Sequence, residues 1–346
     1  MIRVGLAGIG FMGWIHYLAY KKVPGIELVA VSEPNEKRLS GDWRDIKGNF
    51  GPPGEMVDLS KVARYKDYRD MLADGSVDVV DCCLPPSMHS QAAIAASQAG
   101  KHVLCEKPMA LTTAECHDMV QAATAAGKQL FIGHVLPFFP EYAHAVQLIR
   151  SGQYGKLLGG TFKRVISDPA WMTDFWDPNR CGGPLIDLHI HDAHLIRLLF
   201  GMPTSLVSVG RLRGEIVEYC NTMFHFSDPS LVVSAVMGVI NQQGRPFTHG
   251  FEIHLEKATM HYEFAGFQDK GELMPLKILT ADGQVVRPEV GSEDAAEPFA
   301  REIAEVVKCI EANCSSSTLS GDLARDAIIL CHKQTDSVKS GGLVAI

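Results

Sequence analysis

The chain is predicted to be an α/β protein of two domains, a doubly wound parallel sheet followed by an α+β domain on a mainly antiparallel sheet. Three observations carry that expectation. Its 346 residues exceed one ordinary core, on a prior of roughly 100 to 200 residues per domain. The first 130 residues alternate short β-rich runs with helical patterns, the form of a parallel sheet with crossover helices. From about residue 134, strands follow one another across short turns such as Ser227-Asp228-Pro229, which implies antiparallel pairing. The division is accordingly placed at 1–130 and 131–346.

In the first domain the strands are Arg3 to Ala7, Glu27 to Ser32, Val77 to Cys83, His102 to Cys105 and Gln129 to Gly133. Trp14 to Lys22, Tyr68 to Leu72, Met88 to Ala99 and Thr113 to Ala126 read as helices, the last two rich in alanine and flanked by capping Ser, Thr and Gly. Ser40 to Ser60, with Gly41, Gly48, Gly51, Pro52, Pro53 and Gly54, reads as a long irregular insertion and a mobile flap near the cofactor. In the second domain, helices are expected at Glu141 to Ser151 and Leu185 to Phe200, with an irregular aromatic piece at Trp171 to Asn179 between them. Strands are expected at Leu157 to Ile166, Leu206 to Arg213, Asn221 to Ser227, Leu231 to Ile240, Gly250 to Leu255 and Thr259 to Phe264. The tail returns to amphipathic helix at Ala295 to Asn313 and Gly321 to Ser340, packing back on the first domain.

A net charge of -8 without long charge blocks argues against nucleic acid or an anionic membrane as partner, and leaves a small metabolite. Nine cysteines, with no Cys-x-x-Cys pair, argue against a disulfide framework and for the cytoplasm. Met1 to Ala7 runs straight into the first strand, leaving no signal peptide, and no apolar run approaches a membrane span.

Gly8-Ile9-Gly10-Phe11-Met12-Gly13 follows a strand and opens a helix. Glycines there permit a tight turn and a close approach of backbone to a pyrophosphate, while the helix start favours its charge. Glu33 ends the second strand, twenty residues after Gly13, where an acid bonds the adenosine ribose. Its carboxylate would repel a 2′-phosphate, and Pro34 follows it where an arginine would clamp one, so NAD is expected rather than NADP.

Lys101-His102-Val103-Leu104-Cys105-Glu106-Lys107-Pro108 is an apolar strand ending in an acid, an amine and a proline. Proline disfavours helix in the residue before it, so Lys107 should sit extended at the strand's carboxyl end, the edge where open α/β sheets bind ligands. Alone, such a lysine is better explained by a strand-ending turn. The glycine turn upstream shifts the balance to chemistry.

Together, Gly8 to Gly13, Pro85-x-x-x-His89, Gly100-Lys101-His102-Val103, Glu106-Lys107-Pro108, Gly182-Gly183, Asp187-x-x-x-His191, Pro298-Phe299-x-x-Glu302 and Gly341-Gly342-Leu343-Val344 resemble the glucose-fructose oxidoreductase, inositol dehydrogenase and MocA family over the full length. The resemblance implies an amino-terminal Rossmann domain and a carboxyl-terminal domain with a large open sheet. It further implies bound NAD(P), a sugar, polyol or inositol-like substrate, and a homodimer or homotetramer through that sheet. The family's catalytic lysine falls on Lys107, its partner acid on Asp187 and its histidine on His191. Leu84, Pro85, Pro86 and His89 match the loop passing the nicotinamide ribose, and Glu106 a residue facing the cofactor. Pro137 stands where many members carry arginine, and His194 where many carry aspartate; both positions border the substrate pocket in the family, which makes His194 a candidate substrate residue and means that substrate identity is not inherited.

Asp187 and His191 lie four apart, one turn of a helix, on one face. A histidine with an ordinary pKa near 6.5 can take a hydroxyl proton, and a lysine can support growing charge on the oxygen. A burial-lowered lysine could exchange those roles. His16, one turn past Gly13, is either a structural histidine like most others in the chain or one that reaches the cofactor end of the cleft, and Trp176 with Trp171 and Phe175 forms either a substrate wall or loop packing. Two other readings compete. One is a non-catalytic NAD-binding regulatory protein. The other is a metal-dependent hydrolase using the run Asp187 to His194, although His189 and His191 would point about 200° apart on a helix.

Overall fold

Two sheets organise the chain, one of six parallel strands and one of nine. The computed structural model describes residues 1–291 and 294–346. In chain order the first elements are β1 (Ile2–Ala7), α1 (Phe11–Tyr20), β2 (Ile26–Ser32), α2 (Glu36–Leu39), β3 (Ala63–Tyr65), α3 (Tyr68–Leu72), β4 (Val79–Cys82), α4 (Pro86–Gln98), β5 (His102–Glu106), α5 (Thr113–Ala126) and β6 (Leu130–Gly133). They are followed by α6 (Pro140–Ser151), β7 (Leu157–Ser167), a π-helical turn at Pro184–His189, and α7 (Ile190–Phe200). Then come β8 (Ser205–Arg213), β9 (Ile216–His225), β10 (Val232–Ile240), β11 (Phe247–Leu255), β12 (Ala258–Gly266), β13 (Gly271–Thr280) and β14 (Val285–Val286). The chain closes with α8 (Glu297–Glu311), α9 (Gly321–Ser340) and β15 (Leu343–Ala345).

Two compact units result, Met1–Phe138 with Ser292–Arg325, and Phe139–Gly291 with Asp326–Ile346. A boundary at 130/131 would cut β6, whose register with β5 runs from Val103↔Leu130 to Glu106↔Gly133, so the first unit continues to Phe138. It also takes α8, which packs on α1, and the segment after α8, where Leu319 accepts the amide of Ile132. The second division falls inside α9.

In the first unit the strand order is β3-β2-β1-β4-β5-β6, all parallel, with the order reversing between β1 and β4. That reversal opens a crevice at the strands' carboxyl ends. The central strands are apolar on both faces because helices cover both, as with Val4, Leu6, Val79 and Val80. The Ser40 to Ser60 insertion is anchored at both ends, where Trp43, Ile46, Val57 and Leu59 are buried, while 47–53 are exposed. Trp43 is wholly buried edge-on to Trp14 and Tyr17, its indole N–H donates to the Arg38 carbonyl, and Trp14 donates to the Pro52 carbonyl. Glycine and proline set the turns there, and tryptophan supplies a core of its own.

The nine-stranded sheet of the second unit has the order β14-β13-β12-β11-β7-β10-β9-β8-β15, antiparallel except for β7 with β10. Its register separates two faces. Leu206, Phe224, Val233 and Ala235 point to the buried side, under the π-helical turn and α7. Val209, Met223, Val232 and Leu279 lie on the open side and are exposed. None of the nine cysteines, all among the described residues, is in a disulfide. Among the described residues no helix is long and apolar enough to cross a membrane.

Candidate functional site

The first unit builds a phosphate cradle where β1 gives way to α1. Gly8 has φ +96°, and a Cβ on it would stand 2.6 Å from the Cys83 carbonyl oxygen, so the loops after β1 and β4 pass too closely for a side chain. A Cβ on Gly13 would collide with the Gly8 carbonyl, which keeps helix tight on strand. At Gly10 the surroundings are open, with nothing within 4 Å of a Cβ. Gly10 is also the N-cap of α1 and has no side chain to bond the first-turn amides, which suits them to an anion. These features fit the pyrophosphate of a dinucleotide. Phe11 offers only its backbone, since its ring is packed against Gly48 and edge-on to Phe50 at 4.8 Å.

Glu33 lies at the carboxyl end of β2 and braces this turn. Its Oε2 accepts the Ile9 amide at 2.9 Å and its Oε1 accepts the Asn35 amide at 3.0 Å. Each oxygen retains a second lone pair for a hydroxyl. Sequence reasoning missed Arg38, whose Nη1 donates to the Ile9 carbonyl at 3.0 Å. Its Nε and Nη2 are spent on Asp45, so its charge is already paired.

Lys107 follows β5 directly and is half-buried, and the Lys107–Pro108 bond is cis. Glu106, expected to face the cofactor, is buried with both oxygens engaged inside the unit. Oε1 lies 3.0 Å from Nε2 of His16, and Oε2 accepts the Lys107 amide at 3.1 Å. His16 likewise faces inward and is wholly enclosed. His89, on α4 just after Leu84, Pro85 and Pro86, is buried with Nδ1 2.8 Å from the Pro108 carbonyl oxygen and Nε2 2.7 Å from that of Leu84. Burial lowers its pKa, and the neutral ring donates to one of the two. The His89 ring therefore lies between the loop after β4 and the loop that carries Lys107, with a carbonyl oxygen of each within 2.8 Å of a ring nitrogen and a hydrogen bond to one of them.

In the second unit the helix expected from Leu185 begins as a π-helical turn, Pro184–His189. A π-turn holds more residues than an α-turn, and such turns recur at functional sites. Asp187 and His191 are both half-exposed, whereas His189, Asp192 and His194 are buried. Asp192 takes Arg164 of β7 in two contacts of 2.7 and 3.0 Å. His189 meets Gln334 at 3.1 Å, and Gln334 donates onward to Thr222. Burial would raise the Asp192 pKa, yet the Arg164 charge and bonds from His189 and Arg164 bring it to about 2. The polar run is thus divided between an inner, structural set and an outer pair, Asp187 and His191. That division gives the metal-dependent hydrolase no support: the candidate metal-ligand groups among the described residues are Cys82, His89 and Cys105, His16, Asp81 and Cys83, and His16, Glu106 and Glu302, with none from Asp187 to His194. Trp176 is held by its ring N–H on Asp168 at 3.1 Å and by the Arg213 guanidinium 3.8 Å from its ring centre.

Comparison with known proteins agrees with this architecture. Residues 2–134 match a model described as "Oxidoreductase family, NAD-binding Rossmann fold", and residues 142–261 match the "GFO/IDH/MocA C-terminal domain". The chain is 30% identical over 201 residues to myo-inositol 2-dehydrogenase of Thermotoga maritima, covering 58% of this chain and 55% of that relative. It is 27% identical over 300 residues to levoglucosan dehydrogenase of Pseudarthrobacter phenanthrenivorans, covering 76% and 74%. The chain thus spans little more than half the length of the first relative and about three quarters of the second. A solved levoglucosan dehydrogenase in complex with NADH and levoglucosan has the same fold, with a TM-score of 0.81, 22% identity, and 100% and 99% of the two chains covered. With both halves matched over the greater part of its length, the chain belongs to the GFO/IDH/MocA oxidoreductase family, its NAD-binding Rossmann domain preceding the family's C-terminal domain.

Proposed function

We propose that the protein is an NAD-dependent dehydrogenase acting on a secondary alcohol, or the matching ketone, of a sugar, polyol or inositol-like substrate, with Lys107, Asp187 and His191 as its catalytic residues. One observation carries the reading: the open start of α1 follows β1 and Lys107 follows β5 on the same carboxyl edge of one parallel sheet, beside its switch in strand order. Gly8, Gly10 and Gly13, with the amides of Phe11 and Met12, would hold the pyrophosphate. Glu33 would hold the adenosine ribose, and Leu84, Pro85 and Pro86 would lie at the nicotinamide end. NAD is favoured over NADP because a 2′-phosphate would meet the Glu33 carboxylate, while Arg38 is already paired with Asp45. Relatives named for inositol and levoglucosan support a polyhydroxylated substrate.

Bound there, NAD supplies the ring that accepts a hydride from the alcohol carbon. The protein's part is placement and proton handling. Lys107 Nζ donates to the substrate oxygen and counters the charge that grows on it. A ring nitrogen of His191 takes the hydroxyl proton, and Asp187, one turn away on the same half-exposed strip, orients that ring or bonds a neighbouring hydroxyl. Assembly as a homodimer or homotetramer would use the open face of the nine-stranded sheet, where Val209, Met223, Val232 and Leu279 are exposed. Thiols without disulfides suit the cytoplasm.

The test offers NAD with a panel of polyols, sugars and inositols and follows absorbance of the reduced nicotinamide. Turnover with at least one polyhydroxylated alcohol is expected. Tight NAD binding without turnover across the panel would overturn the reading in favour of a regulatory NAD-binding protein.

A further inference from the structure

Four elements of the first unit bury ionisable side chains around one point next to Lys107. His16 of α1 is completely enclosed, with Nδ1 2.7 Å from Oδ2 of Asp81 on β4 and Nε2 3.0 Å from Oε1 of Glu106 on β5. Glu302 of α8 is also completely enclosed, and neither of its oxygens has a hydrogen-bond partner. Its carboxylate lies within 4.8 Å of His16 and Glu106. Tyr20 donates to Asp81 at 2.5 Å, and the Cys83 thiol stands 3.6 Å from both His16 and Asp81. The Phe299 ring closes the pocket 5.9 Å from the His16 ring.

The charges in this pocket have one low-cost arrangement. Ionised carboxylates only accept, so a ring facing one on each side must donate from both nitrogens, which requires the imidazolium. Burial alone would strip that proton, but Asp81, with Cys83, more than reverses it and holds the His16 pKa well above its usual value. With both ring nitrogens engaged, His16 has no donor left for a third carboxylate. Burial, and then the Glu106 charge, push Glu302 well above the usual carboxyl range, so it carries its proton. Glu106 is thereby fixed, and its other oxygen accepts the Lys107 amide. Gly133 leaves room for it: a Cβ there would stand 2.9 Å from Oε1.

We propose that His16 and Glu302 are positioning residues for Lys107, acting through Glu106: cationic His16 pins one oxygen of Glu106 and neutral Glu302 fills the space beside it, which keeps the other oxygen on the Lys107 amide. The inference rests on the assignment of Lys107 to the substrate oxygen. The rival occupant is a divalent cation held by His16, Glu106 and Glu302. It would need the Nε2 lone pair, whereas both nitrogens here face carboxylate oxygens.

The first measurement compares melting of the wild type and Glu302→Gln, which mimics the neutral acid at every pH. A group whose folded pKa is raised contributes stability that is fully present below its unfolded value, roughly 4.3, and is lost as pH rises through the folded value. The wild type should therefore lose more melting temperature than Glu302→Gln between about pH 6 and pH 9; parallel curves would overturn the neutral Glu302. The second measurement is kinetic. His16→Gln should lower kcat between about ten- and a hundredfold while the Kd for NAD stays within about threefold, and Glu302→Ala should lose more kcat than Glu302→Gln. If His16→Gln does not fold, the double variant His16→Gln with Asp81→Asn removes one charge of each sign and should show the same split. An unchanged kcat overturns the positioning role. A stoichiometric divalent metal in untagged protein, lost in Glu302→Gln, overturns the proton arrangement in favour of a cation. A wild type with no turnover on any polyol overturns the dehydrogenase reading and the positioning role with it, while the melting curves still decide the state of Glu302.

Discussion

Oε2 of Glu106 accepts the backbone N–H of Lys107 at 3.1 Å, so the last residue of β5 holds the backbone of the residue after it. The His89 ring packs beside the next residue, with Nδ1 2.8 Å from the Pro108 carbonyl oxygen. A flexible lysine stem gains precision when its backbone is held, and in the proposed function precision matters because the amine is to meet a developing charge.

Lys107→Met keeps most of the stem's volume and removes the amine. Turnover should fall by at least about a hundredfold, while NAD affinity, followed by fluorescence titration, changes little. A variant of wild-type activity would refute the catalytic assignment.

Glu33 has two duties, bracing the glycine turn through Ile9 and, in the proposed function, bonding a ribose. Glu33→Ala removes both, so NAD affinity should drop about tenfold or more, given roughly 1.5 to 3 kcal/mol for a charge-assisted hydrogen bond, and the preference for NAD over NADP should shrink. Glu33→Gln retains a carbonyl for the Ile9 amide but loses the charge, so it should change the NADP-to-NAD ratio more than the NAD affinity itself. Equal ratios in all three proteins would count against the ribose contact.

Much of this architecture was legible because the signals are local. The apolar runs of β1, β4 and β5, the glycine turn and Glu33 at the end of β2 all follow from neighbours in sequence. What escaped depends on distant partners. Glycine and proline made the insertion read as a flap, but Trp43 buries itself against Trp14 and Tyr17. β13 was missed because Pro275 and its exposed outer half hide the alternation of an edge-side strand. The π-helical turn leaves the apolar pattern of a helix intact, so periodicity cannot mark it. The buried contacts of His16 and Glu106 are not legible in the sequence either, since nothing near either announces Asp81 and Glu302 as their neighbours.

The open face of the nine-stranded sheet makes the assembly testable. Met223 of β9 lies opposite Val207 of β8 and Ser234 of β10, and Val232 precedes Ser234 by two residues on the same face. Burying such a face between copies would stabilise at roughly 25 cal/mol per Å² of apolar surface. Met223→Glu paired with Val232→Lys should lower the mass measured by analytical ultracentrifugation to that of a monomer. Melting of the isolated fold should change by no more than about 1 kcal/mol, as for exposed sites in general. A wild type that sediments as a monomer, or a variant that assembles normally, would reject this face as the interface.

Beside the proposed catalytic pair of the second unit lies a structural one, Arg164 and Asp192, both nearly inaccessible and joined by two hydrogen bonds between β7 and α7. Burial opposes ionisation, but the Arg164 charge prevails and holds the Asp192 pKa at about 2, below its unfolded value. A depressed carboxyl contributes stability that is present above the unfolded pKa and is lost as pH falls through the folded one. Here that window runs from about pH 4 down to about pH 2 and is worth roughly 2 to 3 kcal/mol. Asp192→Asn leaves a guanidinium buried without its counter-charge, so urea unfolding at neutral pH should show a loss of about 3 to 5 kcal/mol. The variant should also lack the wild type's decline through that acid window. Because α7 carries His191 one residue before Asp192, a folded Asp192→Asn should lose turnover while its Kd for NAD, held by the other unit, stays near wild type. Equal neutral-pH stability of the two proteins would show that the ion pair contributes nothing net to the anchoring of α7.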